Sequence, residues 1–276
     1  MEAPPRDSPP GAAPAEVLRL RGGQALPGRD WLCEEIAVAL EFNGISHAVM
    51  LATPADLEDF ALGFALTEGI VDHAGEVFDI RIEESAQGIS LQVDIASRRL
   101  QALKLRRRSL AGRTGCGLCG TDSLDQALRP VPTVGAGPLV EPDSLARAVE
   151  ALRPLQPLFE ATGSVHAAAL CSAHGQVLLA REDVGRHNAL DKLLGAAARG
   201  GLDAGEGVVV ISSRASIEMV QKAASRGCTV LAAVSAPTAL AVRAAEQAGM
   251  TLVGRIRGRD MVVYSGTRRL APSPGP

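Results

Sequence analysis

The chain has 276 residues, enough for two domains or one large one. Apolar residues make up 46 % of it and aromatic residues only 3 %, so a large core is available and must be built from Ala, Val, Leu and Ile. A net charge of −3 gives no global attraction to nucleic acid or to an anionic membrane. The longest apolar run, residues 230–242, is broken by Ser235, Pro237 and Thr238 and falls short of the roughly 20 residues of a membrane-spanning helix.

Residues 1–16 are rich in Pro and Ala without a basic start or an apolar run. They read as a disordered tail, not as a signal peptide or anchor. Five cysteines, an odd number without a secretory signal, predict reduced thiols in a cytoplasm. A short strand is expected over 17–20. Residues 35–42 alternate polar and apolar, Asn43-Gly44 is a hairpin signal, and 46–51 returns as the partner strand. Thr53 as cap, Pro54 at the first helical position and Asp56 in the first turn predict a helix start. Leu57, Phe60, Ala61 and Phe64 follow at helical spacing, and Gly69 ends the element. With strands over 77–83 and 89–95, residues 17–110 read as a small α+β unit carrying an antiparallel sheet.

The stretch 112–121 holds Cys116 and Cys119 three positions apart among Gly112, Gly115, Gly117 and Gly120. Glycine leaves the backbone uncovered and free to adopt positive φ, so this stretch reads as a mobile arm. Arg106, Arg107, Arg108 and Arg113 lie upstream, and positive charge favours the nucleophilic thiolate. Four chemistries share this pattern. Gly115, Gly117 and Gly120 spell a dinucleotide fingerprint, but no apolar strand precedes them. One C-x-x-C is half of a structural zinc site, it is the dithiol of a redox pair, or it is a cysteine that carries a group on its sulfur. Residues 111–142 form this segment and a linker rich in Pro and Gly.

The remaining unit, 143–269, reads as α/β and is followed by a tail over 270–276. A helix runs from Asp143 towards Phe159, interrupted by Pro154 and Pro157. Strands over 176–180, 207–211, 229–234, 251–255 and 261–264 alternate with helices over 187–198, 216–226 and 237–248. Continuous apolar strands between amphipathic helices mean a sheet covered on both faces. Three strands end in polar patches just before their helices: 181–188, 212–216 and 235–238. Ligands of open α/β sheets bind at that edge, where helix N-termini suit phosphate. Asp183, Asn188, Ser212 and Ser235 are alternatively plain helix caps. His187 is a candidate general base or a structural histidine, and His166, in an apolar run, is expected to be a hydrogen-bonded core residue. Arg255, Arg257 and Arg259 alternate, which puts them on one face if the strand continues.

Together these segments resemble the FdhD family of sulfur carriers that activate formate dehydrogenases. The matching pieces are Thr114-Gly115-Cys116-Gly117-Leu118-Cys119-Gly120, residues 162–168, the long motif over 182–192, residues 212–216 and residues 235–239. The resemblance implies a cytidine-deaminase-like α/β domain with a smaller α+β N-terminal domain. It implies a sulfurtransferase that receives a sulfane sulfur from a cysteine desulfurase as a persulfide on Cys116, with Cys119 as its partner. The recipient it implies is the molybdenum or tungsten bis-molybdopterin guanine dinucleotide cofactor of a formate dehydrogenase. That cofactor's contact maps to Arg255, Ile256, Arg257, Gly258, Arg259 and Asp260. A homodimer is implied as well. Zinc deaminase chemistry is not, because the chain has no H-x-E and no Pro before Cys116.

Overall fold

The computed structural model describes residues 9–101, 103 and 130–271. It is a mixed α/β architecture with three sheets. Two ten-residue strands, β1 (Ala12–Arg21) and β2 (Gln24–Cys33), pair antiparallel along their whole length. The turn between them uses Gly22 and Gly23, both at positive φ. β1 therefore begins inside the stretch that composition assigns to a tail, and the short strand expected over 17–20 is one part of it. The base of this hairpin is packed: Ala12, Leu158 and Val165 form a small cluster joined by Trp31 and Cys33.

The second sheet has the order β4-β3-β6-β5. β3 (Ile36–Phe42) and β4 (Ile45–Ala52) form the expected hairpin, with Asn43 at φ 47° and Gly44 at φ 73° in its turn. β5 (Val77–Ser85) and β6 (Gly88–Ile95) form another. The two hairpins join through β3 and β6, which run parallel, so the sheet is mixed where an antiparallel one was expected. Helix α1 (Leu57–Thr67) covers one face, with Phe60, Phe64 and Leu66 packed on Val38, Leu40, Phe42, Leu91 and Val93. α1 starts four residues beyond Thr53, because Thr53 is engaged elsewhere.

The third sheet has the order β12-β11-β10-β9-β7-β8. Before it come α2 (Pro142–Leu152) and α3 (Pro157–Thr162), split where Pro154 and Pro157 predicted an interruption. The strands are β7 (His166–Cys171), β8 (Val177–Asp183), β9 (Val208–Ile211), β10 (Val230–Ala233), β11 (Thr251–Arg257) and β12 (Asp260–Ser265). The helices between them are α4 (Arg186–Arg199), α5 (Ile217–Ser225) and α6 (Ala239–Ala248). Side chains alternate across the sheet. Val209, Ile211, Leu231, Ala233 and Leu252 pack with α4, α5 and α6, while Val208, Val210, Val230, Ala232 and Val253 pack with α2. The Pro- and Gly-rich stretch 130–141 is not a free linker. Val134 N–H donates to Ala248 O (2.9 Å) and Val140 N–H to Arg269 O (2.8 Å), which lays it along this unit.

α1 is buried on nearly every side, because α4 covers the face that the mixed sheet leaves open. The two helices touch at Gly63 and Gly195. A Cβ on Gly63 would run into the Asp191 carbonyl, and one on Gly195 into the Asp59 carbonyl. Overpacking of a tight core costs about 1–3 kcal/mol and at times more. We expect Gly63→Ala to lie at the top of that range, because backbone atoms cannot rotate away. Equilibrium urea unfolding against the parent chain checks it; a loss below about 1 kcal/mol would mean that the helices separate freely.

Candidate functional site

The long motif over 182–192 is first a piece of scaffold. Asp183, at the end of β8, is fully buried and lies 2.6 Å from the equally buried Lys192 Nζ. Thr53 closes the pair: its N–H donates to Asp183 Oδ2 (3.0 Å) and its carbonyl accepts from Lys192 (2.9 Å). Its hydroxyl also accepts from Val184 N–H (3.1 Å). Asp183 Oδ1 accepts from Gly185 N–H (2.7 Å) and from Asn188 Nδ2 (2.9 Å), and Asn188 reaches on to Leu51 O (2.8 Å). Asp183 and Asn188 are therefore more than helix caps; they fasten the β4–α1 corner to α4. Glu182 accepts from the N–H groups of Leu158 (2.9 Å) and Phe159 (2.8 Å), at the start of α3. Ser212 Oγ accepts from Ala167 N–H (2.9 Å). Of the three polar patches, the one before α6 supplies a true cap, Thr238, which accepts from Ala241 N–H (3.2 Å).

Lys192 and Lys222, two buried cations inside apolar helix faces, escaped the sequence reading. Burial opposes the charge on Lys222, but Asp191 and Glu68 hold its ammonium above the ordinary lysine value. Lys222 Nζ lies 2.8 Å from Asp191 Oδ2 and 2.7 Å from Glu68 Oε1. The available signal was the adjacency of Lys192 to Asp191, charged residues set among leucines.

β7 is antiparallel to both β8 and β9, and β9, β10 and β11 are parallel to one another. The carboxyl ends of β8, β9, β10 and β11 therefore share one edge, along with the starts of β7 and β12. The three polar patches and the arginine stretch meet there. His166 pairs with Asp183 across the first rung of β7 and is half-buried, so it belongs to this edge and not to the core. Burial and then the Arg186 charge lower its pKa. The same two causes act harder on His187, pushing it down to about 4, so it is neutral at neutral pH. His187 Nε2 lies 4.0 Å from Glu218 Oε2 on α5. Burial works against the Glu218 charge, but the Ser216 hydroxyl and Glu218's own N–H stabilise it and hold its pKa below the ordinary value.

The arginine stretch does not present one face. Arg255 sits at φ 55°, a left-handed conformation, and a bulge separates Gly254 from Arg257 in the pairing with β12. Period-two alternation ends at that bulge. Ile256 is buried. Arg257 Nη1 donates to Val234 O and to Ile256 O, both at 2.9 Å. Arg259 grips Asp143 at the start of α2 through two bonds of 3.0 and 2.6 Å. Gly258 completes the turn at φ 54°, and Asp260 opens β12 opposite Arg257.

Cys116 and Cys119 lie outside the described residues. The other three cysteines are within them and are free thiols. Burial pushes Cys171 and Cys228 up to about 12. Burial also raises Cys33, whose sulfur lies 3.3 Å from Thr53 Oγ1. None of these three is tuned as a nucleophile. Among the described residues, no helix is long and apolar enough to cross a membrane.

A mixed sheet joined through two helices to a six-stranded sheet, with a polar carboxyl edge, is an architecture already seen elsewhere. The structure superposes on a formate dehydrogenase accessory protein, described as putative, from Desulfotalea psychrophila. The TM-score is 0.73 at 23 % identity, covering 95 % of this chain and all of that one. The sequence profile of the FdhD/NarQ family matches residues 33–271. A protein of Variovorax paradoxus named sulfur carrier protein FdhD is 54 % identical over 259 residues, 93 % of each chain. One of the same name from Cupriavidus necator is 55 % identical over 262 residues, covering 95 % of this chain and 91 % of its own. The chain belongs to the FdhD/NarQ family.

His187 gives this edge a pH signature. The folded state keeps the imidazole neutral down to about pH 4, whereas the unfolded chain takes up a proton near 6.5. The unfolded state then binds more protons between those values, so stability rises with pH across that window and is lost as pH falls through it. Denaturant unfolding from pH 4 to 7 should show a steeper slope for the parent than for His187→Asn. The imidazole resonances in NMR should stay neutral until pH approaches 4; titration near 6.5 would refute the burial argument.

Proposed function

We propose that this protein is a sulfurtransferase that works as a sulfur carrier through Cys116. The observation that carries the reading is the contrast among its thiols. Cys33, Cys171 and Cys228 are held protonated by burial, whereas Cys116 and Cys119 follow a run of arginines in a glycine-rich stretch. Membership of the FdhD/NarQ family and the sulfur-carrier names of its relatives support it. In the loading step the Cys116 thiolate attacks the terminal sulfur of a persulfide on a cysteine desulfurase. A Cys116–sulfur bond forms, the sulfur–sulfur bond of the donor breaks, and the donor cysteine leaves as a thiolate. Cys119 is its partner thiol. The cargo site is the molybdenum or tungsten bis-molybdopterin guanine dinucleotide cofactor of a formate dehydrogenase, the client. On this reading the protein is a cytoplasmic homodimer. Its six-stranded sheet with helices on both faces suits the cytidine-deaminase-like architecture that goes with the family.

Incubation with a cysteine desulfurase and cysteine, followed by alkylation and peptide mass analysis, tests the loading step. One added sulfur is expected on the peptide that contains Cys116 and Cys119. Its absence there, or its presence on a Cys33 peptide, would overturn the reading.

The cargo's phosphates are assigned to the turn of Arg255, Ile256, Arg257, Gly258, Arg259 and Asp260. The residues suit that task unequally. Arg255 is exposed and Arg257 has donors left beyond its two carbonyl bonds, while Arg259 is taken up by Asp143 and positions the turn. An arginine–phosphate contact is worth roughly 1.5–3 kcal/mol, so Arg257→Ala should weaken guanosine diphosphate binding about tenfold or more. Persulfide loading on Cys116 should be unchanged. Calorimetric titration beside the mass assay reads both, and unchanged nucleotide affinity would move the phosphate site off this turn.

A further inference from the structure

The β1–β2 hairpin is an arm that packs at its base and nowhere else along its length. Opposite residues of an antiparallel pair share a face, so Leu18 and Leu20 of β1 stand with Pro27 and Ala25 of β2, on the same side as Ala12 and Cys33 at the base. At the base that side packs on Leu158 and Val165. Towards the tip it runs past the Glu16–Arg29 pair and is bare: Leu18 is 62 % exposed and Leu20 73 %. Of the twenty strand residues only Ala12 is buried. A two-stranded ribbon alone is marginal in water, and contiguous exposed apolar surface marks an interaction site. The arm's direction is set from below, because the pairing runs to Ala12 opposite Cys33 and the Glu34 N–H adds a bond to Gly11 O (2.7 Å).

The mixed sheet carries a face of matching character. α1 covers one side of it. On the other side Ala37 stands opposite Leu51 and Ala39 opposite Val49, with Leu51 58 % and Val49 57 % exposed. Farther across, that side bears Glu41, Asp79, Glu83 and Asp94 against a single arginine, Arg81, an excess of three negative charges. The outer part of the arm, residues 16–29, bears Arg19, Arg21 and Arg29 against Glu16 alone, an excess of two positive charges. Leucines thus find an apolar strip and arginines an acidic one. Both halves of this complementarity lie on the one chain and stay exposed within it, which favours a second copy over an unrelated partner. We propose that two copies exchange arms, each laying Leu18 and Leu20 on the outer face of its partner's mixed sheet. A two-fold axis makes the contact twice, so each protomer gives both an arm and a sheet face to the roughly 800 Å² per partner of a standard interface. This rests on the homodimer reading above and adds the surfaces that form it.

Sedimentation velocity of the full chain over a range of concentrations tests the assignment. Leu18→Glu puts a negative charge on the arm against an acidic sheet, and Val49→Lys puts a positive charge on the sheet against a basic arm. Both positions are exposed, so circular dichroism and Tm should match the parent. Each variant should weaken the dimer about tenfold or more, because each loses apolar contact twice per dimer. An equimolar mixture of the two should regain dimers, since one parental arm then meets one parental sheet face. A parent that dimerises while either variant does so as tightly overturns the arm exchange alone; a dimer weakened by Leu18→Glu but not by Val49→Lys would mean that arm meets arm. A mixture that stays monomeric overturns it as well. A parent that is monomeric throughout overturns both the exchange and the homodimer reading.

Discussion

The Asp183–Lys192 pair is the contact on which the rest of the structure depends. Two full charges sit with no solvent access, which is costly unless every remaining lone pair and proton is used. Here they are used by Thr53, Gly185 and Asn188. Because Thr53 lies 130 residues before Asp183 in the chain, the pair fixes the β4–α1 corner and the first turn of α4 as one body. Arg186 and His187 stand in that first turn, so their placement follows from a charge pair buried beneath them. Lys222, with Asp191, Glu68 and Thr67, makes a second clamp at the far end of α1. Between the clamps, Gly63 and Gly195 let two helix backbones meet.

Much of the six-stranded sheet was legible because its strands are buried on both faces. Such strands read as unbroken apolar runs, and Gly227 and Gly249 punctuate the helices between them. β7 was not legible: Ala167, Ala168 and Ala169 carry no β-branched signal, and the strand is defined by its neighbours. The β1–β2 hairpin was hidden for a different reason. Pro14, Pro27 and Gly28 lie inside its strands, and as a two-stranded ribbon it needs no alternation with a buried face.

At the candidate site, residue identity was legible and role was not. Asp183, Asn188 and Thr53 carry the chemistry of caps, and only contacts more than a hundred residues away in the chain turn them into fasteners. The arginines of the β11–β12 turn show the same limit. Alternation predicts a shared face, but one left-handed residue, Arg255, resets the period, and Asp143 claims Arg259. Glu218 passed unremarked because its meaning comes from α4, not from its own helix.

The clamps around α1 also set a timetable for synthesis. Thr53 meets Asp183 across 130 residues and Thr67 meets Lys222 across 155. A ribosome adds about 5–20 residues per second, so α1 emerges on the order of ten seconds before the helix that covers it. During that interval its apolar flank is solvent-facing, and contacts of such long range close slowly. The interface that gives the finished protein its rigidity is the surface that the nascent chain leaves bare the longest.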